Sequence, residues 1–467
     1  MTDRKRHYAG EVRKMKKKNT ELDMLHGPLV GNIIRFALPL AASAVLQQLF
    51  NAADLAVVGR FSTPQAMAAV GSNTFIISML VSLFIGLSVG ANVVIANLIG
   101  SGRRKELHDA VHTVIGLALI CGLLLMVLGF FLAPLILRLT GAPEDVMALA
   151  VTYLRIYFLG MPAIMLYNFG SALLRGTGDS TRPFFSLTIA GIVNVVLNLL
   201  FVVGLRLHVV GVALATVLSN CLSAGLTLRF LTQRQGDFHL DLRAICIKSG
   251  YLVAVIQIGL PAGLQGMVFS LSNVVIQSAV NSFGSDCIAG MAAAQNFDFV
   301  SYCVINAFAQ TAVTFVSQNY GAGNLDRCGK ITRTSFLLCL GIDAVVIACM
   351  LLGRYRLIRL FTTEPGVIEY AMVRFTRVIV VHFLCATYEI SGGALRGMNH
   401  SMVPAVISVL GTCAFRLAYT LLFFPAHRSI GTLMLVYPAS WILTGIVMNA
   451  AYLIIRKRLR ASPFAKV

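Results

Sequence analysis

The sequence predicts an all-α integral membrane protein, with twelve transmembrane helices in two six-helix lobes related by a pseudo-two-fold axis along the membrane normal. Three observations carry this reading. The 467 residues are 57% hydrophobic and only 12% charged, with a mean hydropathy of +0.80, whereas about a quarter of an ordinary soluble domain is charged. Apolar runs of about 20 residues, the length that crosses a bilayer, recur along the whole chain. Finally, YNFGSALLRGTGDSTRP at 167–183 is written again, in worn form, as YEISGGALRGMNHSMVP at 388–404.

The apolar runs fall at 33–59, 67–97, 110–133, 147–173, 184–204, 209–231, 250–281, 288–318, 331–352, 367–394, 402–424 and 430–455. The first is too long for the apolar region of a signal peptide, so it is expected to remain as a span. Between the spans the loops are short. The longest, at 232–249, separates an N-terminal lobe at 33–231 from a C-terminal lobe at 250–455, with basic tails at 1–32 and 456–467.

The formal charge of +19 would fit a nucleic-acid binder if it formed one patch, but its distribution argues otherwise. With the N-terminus inside, most of the 38 Lys and Arg fall on inside loops and tails and 7 on outside loops. The positive-inside rule then places both termini in the cytoplasm. The tails RKRHYAGEVRKMKKK and RKRLR read as topology determinants beside anionic lipid, and no nucleic-acid partner is expected. Ten Cys are scattered singly without a C-x-x-C, which suits small buried hydrophobes and indicates neither disulfides nor a metal site.

The duplication is in register over several blocks. Tyr167, Leu174, Arg175, Gly176, Ser180 and Pro183 recur 221 residues later as Tyr388, Leu395, Arg396, Gly397, Ser401 and Pro404; Gly100 and Gly102 recur as Gly321 and Gly323; Pro39 answers Pro261. A repeat of six crossings enters the membrane twice in the same orientation, as in parallel-repeat transporters, and puts a substrate cavity between the lobes near the midplane. Arg175 and Arg396 are expected in the last turn of a helix, where a cation complements the C-terminus. Gly176 and Gly397 are expected to act as helix stops.

Ionisable groups inside spans are costly and therefore candidates for function. In span 1, Gln47, Asn51 and Asp54 share one helical face. Asn194 and Asn198, at i and i+4 in span 5, are expected partners for Asp54, and Asn168 in span 4 can join them. In span 8, Gln295, Asp298, Tyr302, Asn306 and Gln310 form a polar stripe expected to line water, with Asp298 and Tyr302 favouring a cationic guest. Glu389 in span 10 occupies the repeat position of Asn168 and is expected, with Asp298, to line the substrate cavity and shape substrate choice, with His382 on the same face as a packing residue. Asp343 stands alone. An enzyme would need a nucleophile or metal set. HExxH is absent, the one GxSxG match, GLSVG at 86–90, lies inside an apolar span rather than at a strand-to-helix turn, and GNLDRCGKI fails the P-loop spacing.

These residues resemble the multidrug and toxic compound extrusion (MATE) transporters, in a bacterial branch. The likeness runs through FALPL, LQQLFNAADLAVVGRF, GLSVGANVVIANLIGSG, YLRIYFLGMP, GSALLRGTGDSTRP, GVALATVLSN, GLPAGLQ, SFGSD and GALRGMNHSMVP. The resemblance implies twelve helices in two lobes and a monomer in the bacterial inner membrane. It also implies export of small organic, often cationic or amphipathic compounds in exchange for H⁺ or Na⁺, with no cofactor. The family's span 1 acid falls on Asp54, its span 5 Asn on Asn194 and its span 5 acid on Asn198, so that acid is absent; a span 7 acid of another branch would fall near Phe269 or Ser270 and is absent too. A lone carboxylate favours the proton over Na⁺. The alternative is a flippase for a lipid-linked saccharide, which calls for basic residues in the cavity.

Overall fold

The computed structural model describes residues 22–139, 144–234 and 236–461; the basic run at 4–18 and the last residues of the C-terminal tail lie outside them. The described chain is helical throughout and makes twelve crossings. They are α1 (Leu29–Phe61), α2 (Pro64–Gly100), α3 (Arg104–Leu139), α4 (Glu144–Leu159 with Met161–Gly176), α5 (Thr181–Gly204), α6 (His208–Thr232), α7 (Ser249–Asn281), α8 (Ser285–Gly321), α9 (Leu325–Arg359), α10 (Pro365–Gly397), α11 (Met402–Ala426) and α12 (Ile430–Ala461). Helices α1–α6 make up the first copy of the repeat and α7–α12 the second, and α7 packs closely on α2, as α1 does on α8.

Irregular backbone sits at matching places in the two halves. α4 bends by 47° at Gly160, where Pro162 has no N–H to return to the preceding turn. Its counterpart α10 is broken by a 3-10 stretch at Ile379–Leu384. α5 ends in a π-helical turn at Leu199–Gly204, directly after Asn198, and α11 carries π turns at Val409–Ala414 and Tyr419–Phe423. Such wide turns are uncommon and concentrate at functional places in helices.

A ring of apolar side chains faces outward, among them Leu124, Phe131, Leu352 and Leu422, as lipid requires. Two large apolar cores, around Ile95, Ile115 and Phe169 and around Phe308, Phe315 and Met448, are built mainly from the two halves, with Val255 and Ile258 of α7 packed into the first and Ile33 and Phe36 of α1 into the second; a smaller one surrounds Ile347 and Phe375.

The lobes touch along a seam at the end of the molecule that carries the described termini. A side chain added at Gly86 would collide with the backbone of Gly263, and one at Gly90 with Val255; reciprocally, one at Gly100 would meet Gln318 and one at Gly321 would meet Asn97. Glycine is thus what lets α2 approach α7 and α8 backbone to backbone. Hydrogen bonds fasten the same seam: Asn92 Nδ2 to Thr314 Oγ1 at 2.8 Å, Asn97 Nδ2 to Asn399 Oδ1 at 3.0 Å, and Gln318 Nε2 to the Gly176 carbonyl at 2.8 Å.

The quoted motif lies here, and the structure corrects its expected chemistry. Gly176 and Gly397 end their helices, yet they are small because Ile95 and the Val313 carbonyl press on them. The left-handed residues come two positions later, at Gly178 (φ 95°) and its repeat partner Asn399 (φ 65°); Asn is among the few side chains that tolerate this conformation. Asp179 then caps α5, its Oδ1 accepting from the N–H groups of Thr181 and Arg182 at 3.1 Å each.

A strap closes this end. Asp23 Oδ1 accepts from the backbone of Leu25 and His26, folding the segment before α1 into a turn. Leu22 N–H bonds the Gly178 carbonyl in the first lobe at 3.4 Å. The Met24 carbonyl accepts from Asn319 at 3.1 Å, and the Gly27 carbonyl accepts from Arg327 at 2.5 Å, both in the second lobe. Residues Leu22–Gly27 therefore hold both lobes at once.

Candidate transport site

In the first lobe, three of the expected residues converge. The i, i+4 spacing sets Asn194 and Asn198 on one face of α5, and that face meets α1 at Asp54. Asn198 Nδ2 donates to Asp54 Oδ1 at 2.5 Å and to Asn194 Oδ1 at 3.2 Å. Asn198 is fully buried and Asn194 nearly so, while Asp54 is half-buried. Thr216 of α6 lies close to Asp54 while its hydroxyl donates to the Val212 carbonyl at 2.9 Å, and Tyr153 and Tyr157 of α4 lie within electrostatic range of Asp54. The carbonyl oxygen of Asn198 is buried with no partner, so the cluster presents Asp54, Asn194, Asn198 and Thr216 oxygens to whatever enters. Asn51 and Gln47 are exposed and outside this cluster. Asn168 does not join it either, because its amide returns to the Ile164 carbonyl one turn back at 2.8 Å.

In the second lobe the α8 stripe splits over two faces. Gln295 is exposed, and Tyr302, Asn306 and Gln310 are half-buried. Asp298 points instead into the lobe, where Arg374 Nε and Nη2 both hold its Oδ2 at 2.6 Å. A carboxylate neutralised in this way is not a free anchor for a cation, which removes the basis of the expected pull on a cationic guest. Glu389 is half-buried, with Arg396 as the charge that offsets it; Arg396 itself donates to Gln265 Oε1 of α7 at 2.8 Å.

Asp343 does not stand alone. Its Oδ1 accepts from Ser301 Oγ at 2.6 Å, and the same Oγ lies 2.8 Å from His382 Nδ1. His382 is thus a hydrogen-bonded member of a polar group and sits edge-on to Trp441, 5.1 Å between ring centroids. The residue types are those of a serine-hydrolase triad, but the order is wrong. There His links Ser to Asp; here the serine lies between the other two, fully buried.

Sequence reasoning missed the two arginines of this lobe. Arg374 is 6% exposed and Arg416 1%. Arg416 donates to Ser440 Oγ at 3.1 Å and Asn273 Oδ1 at 3.3 Å, and its guanidinium lies over the rings of Tyr437 (4.7 Å) and Phe269 (5.2 Å). Among the described residues no carboxylate pairs with it. Both arginines stand inside apolar spans, so the rule that singled out Asp54 applies to them equally and could have found them.

Among the described residues no group of three or more His, Cys, Asp or Glu could hold a metal ion. A cleft of about 990 Å³ opens at the seam end, lined by Asn97, Arg103, Glu106, Tyr251, Tyr320 and Asn399 among others. It contains none of the expected site residues.

Two six-helix lobes of one parallel repeat, each with buried polar groups inside its bundle, define a secondary transporter of the two-lobed class. The MatE family model matches residues 39–200 and again 261–422, one match per lobe, and the chain belongs to this family. Among its relatives, the probable multidrug resistance protein YoeA of Bacillus subtilis (strain 168) is 28% identical over 80% of this chain and 82% of its own length. The probable multidrug resistance protein NorM of Thermotoga maritima is 27% identical over 82% and 83%. A solved MATE structure in complex with MaL6 superposes with a TM-score of 0.88 at 21% identity, covering 94% of this chain and 99% of that one.

Proposed function

We propose that this protein exports organic, often cationic or amphipathic compounds from the bacterial cytoplasm by antiport, with H⁺ favoured over Na⁺ and Asp54 as the coupling group. The observation that carries this is the 2.5 Å bond between Asp54 and Asn198. One carboxylate surrounded by neutral amides and a hydroxyl can take a single proton and lose its charge, whereas a Na⁺ cage gains from a second anionic ligand. The multidrug names of the bacterial relatives support the substrate class.

With both termini cytoplasmic, as the basic residues suggest, the glycine seam and the strap close the cytoplasmic side, and the conformation is outward-facing. Exchange follows if substrate and proton favour opposite states, because a ligand shifts an equilibrium only by its differential affinity. The test is efflux of a dye panel from proteoliposomes under imposed proton or sodium gradients. Transport driven by the proton gradient without Na⁺ supports the reading. Transport that requires Na⁺ and ignores a proton gradient overturns it.

A further inference from the structure

We propose that Asp343, Ser301 and His382 form a second proton-binding site, inside the C-terminal lobe and separate from Asp54. The three residues come from three different helices, α9, α8 and α10, and are 0%, 0% and 5% exposed. The serine hydroxyl has a single hydrogen and two neighbours that compete for it, at 2.6 and 2.8 Å. Only a few protonation patterns satisfy that geometry.

When Asp343 is ionised, Ser301 donates to it, and His382 Nδ1 must then carry a hydrogen and donate to Ser301 Oγ. When a proton enters at His382 Nε2, the Nδ1 hydrogen can pass to Ser301 Oγ and the serine hydrogen to Asp343, which leaves Asp343 donating to Ser301 Oγ, the serine donating to His382 Nδ1, and the neutral imidazole carrying its hydrogen on Nε2. One incoming proton is therefore held either on Asp343 or on His382, and Ser301 passes it between them by reversing its own bond. The second carboxylate oxygen of Asp343 is buried without a partner. An ionised carboxylate with an unpartnered buried oxygen is costly, which is what a site that must accept a proton needs.

The charges around the site decide what loading does. Facing it are Cys339 on its own helix, Asp298 from α8, Arg374, Cys385 and Glu389 from α10, Arg416 from α11 and Tyr437 from α12. Asp298 and Arg374 neutralise each other. Glu389, half-buried, is offset by Arg396. The fixed charges left in the interior are Arg416 and, when ionised, Asp343, linked through His382, Trp441 and Tyr437 by ring contacts of 5.1, 5.9 and 4.7 Å. An empty proton site leaves this interior balanced; a loaded one leaves Arg416 uncompensated. In a medium of low dielectric that net positive charge opposes a cationic guest, so proton and cation cannot comfortably share the lobe.

The experiment is infrared difference spectroscopy between alkaline and acid pH on the full-length protein in lipid nanodiscs, which requires neither substrate nor gradient and so stands apart from the question of Asp54 coupling. In an Asp54→Asn background, a protonated-carboxyl band is expected that Asp343→Asn removes, with one proton fewer taken up per transporter. Ser301→Ala and His382→Gln should keep the carboxyl but shift its band, because the hydrogen-bond chain is cut. If Asp343→Asn does not purify, these two variants decide. An acid-pH spectrum unchanged by Asp343→Asn, or by both chain-cutting variants, overturns the proposal.

Discussion

The amide nitrogen of Asn198 is the bridge between Asp54 on α1 and Asn194 on its own helix, 2.5 Å from one oxygen and 3.2 Å from the other. Asp54→Asn removes the only group in this cluster that can exchange a proton while keeping its shape. Substrate binding is expected to persist and gradient-driven efflux to be lost. Dye binding by fluorescence polarisation and efflux from proteoliposomes measure the two separately, and undiminished efflux would take Asp54 out of the mechanism.

Asn198→Ala cuts both bonds and leaves a void beside a carboxylate. Loss of a buried partner costs about 1–3 kcal/mol, so thermal stability should fall, and efflux should fall with it. Asn51→Ala is the contrasting control: Asn51 is exposed and outside the cluster, and near-normal stability is expected there.

Arg374→Met should be among the more damaging single changes in the second lobe, since it strands a buried Asp298 carboxylate at about 3–5 kcal/mol. The double variant Asp298→Asn with Arg374→Met should recover much of that loss, as replacing both members of a buried pair is often nearly neutral. A double-mutant cycle on unfolding free energies checks this. A double-variant loss equal to the sum of the two single losses would mean the pair is not coupled.

Gly86→Leu introduces a side chain where the backbone of Gly263 already stands. The seam end is expected to stay open, with longer spin-label distances between the lobes there and slowed turnover. Leu at Gly71, where an added side chain meets nothing nearby, should have little effect on those distances.

The architecture was legible because two strong signals agree: long apolar runs and a repeat that keeps its register, but for a one-residue gap after Pro39, through to Pro404. The first-lobe cluster was legible because its partners are i, i+4 neighbours on one helix, so spacing alone sets their common face. The second lobe was not, because no i, i+4 pair marks its meeting point; long separation alone is not the reason, since Asp54 meets Asn198 across 144 positions. Asp298 finds Arg374 across 76 positions and Ser301 finds His382 across 81, and nothing in local spacing says which of several polar groups on α8 turns inward. The 3-10 break in α10 adds to this, since it resets the helical phase between His382 and Glu389 and undoes the assumption of a shared face. Glycines 176 and 397 do end their helices, as expected, but a glycine near a helix end has the same letter whether it supplies a left-handed turn or room for a neighbouring helix, so the close packing at both was not legible.

The strap at Leu22–Gly27 has a practical side. It is clipped to Gly178 in one lobe and to Asn319 and Arg327 in the other, so anything fused ahead of it would load the joint that the proposed exchange cycle parts. A bulky fluorescent protein or rigid affinity handle is better placed after the C-terminal helix, whose last turns carry no such double attachment. By the same logic, a small reporter dye at the head of the chain would register the parting of the lobes without touching either polar cluster.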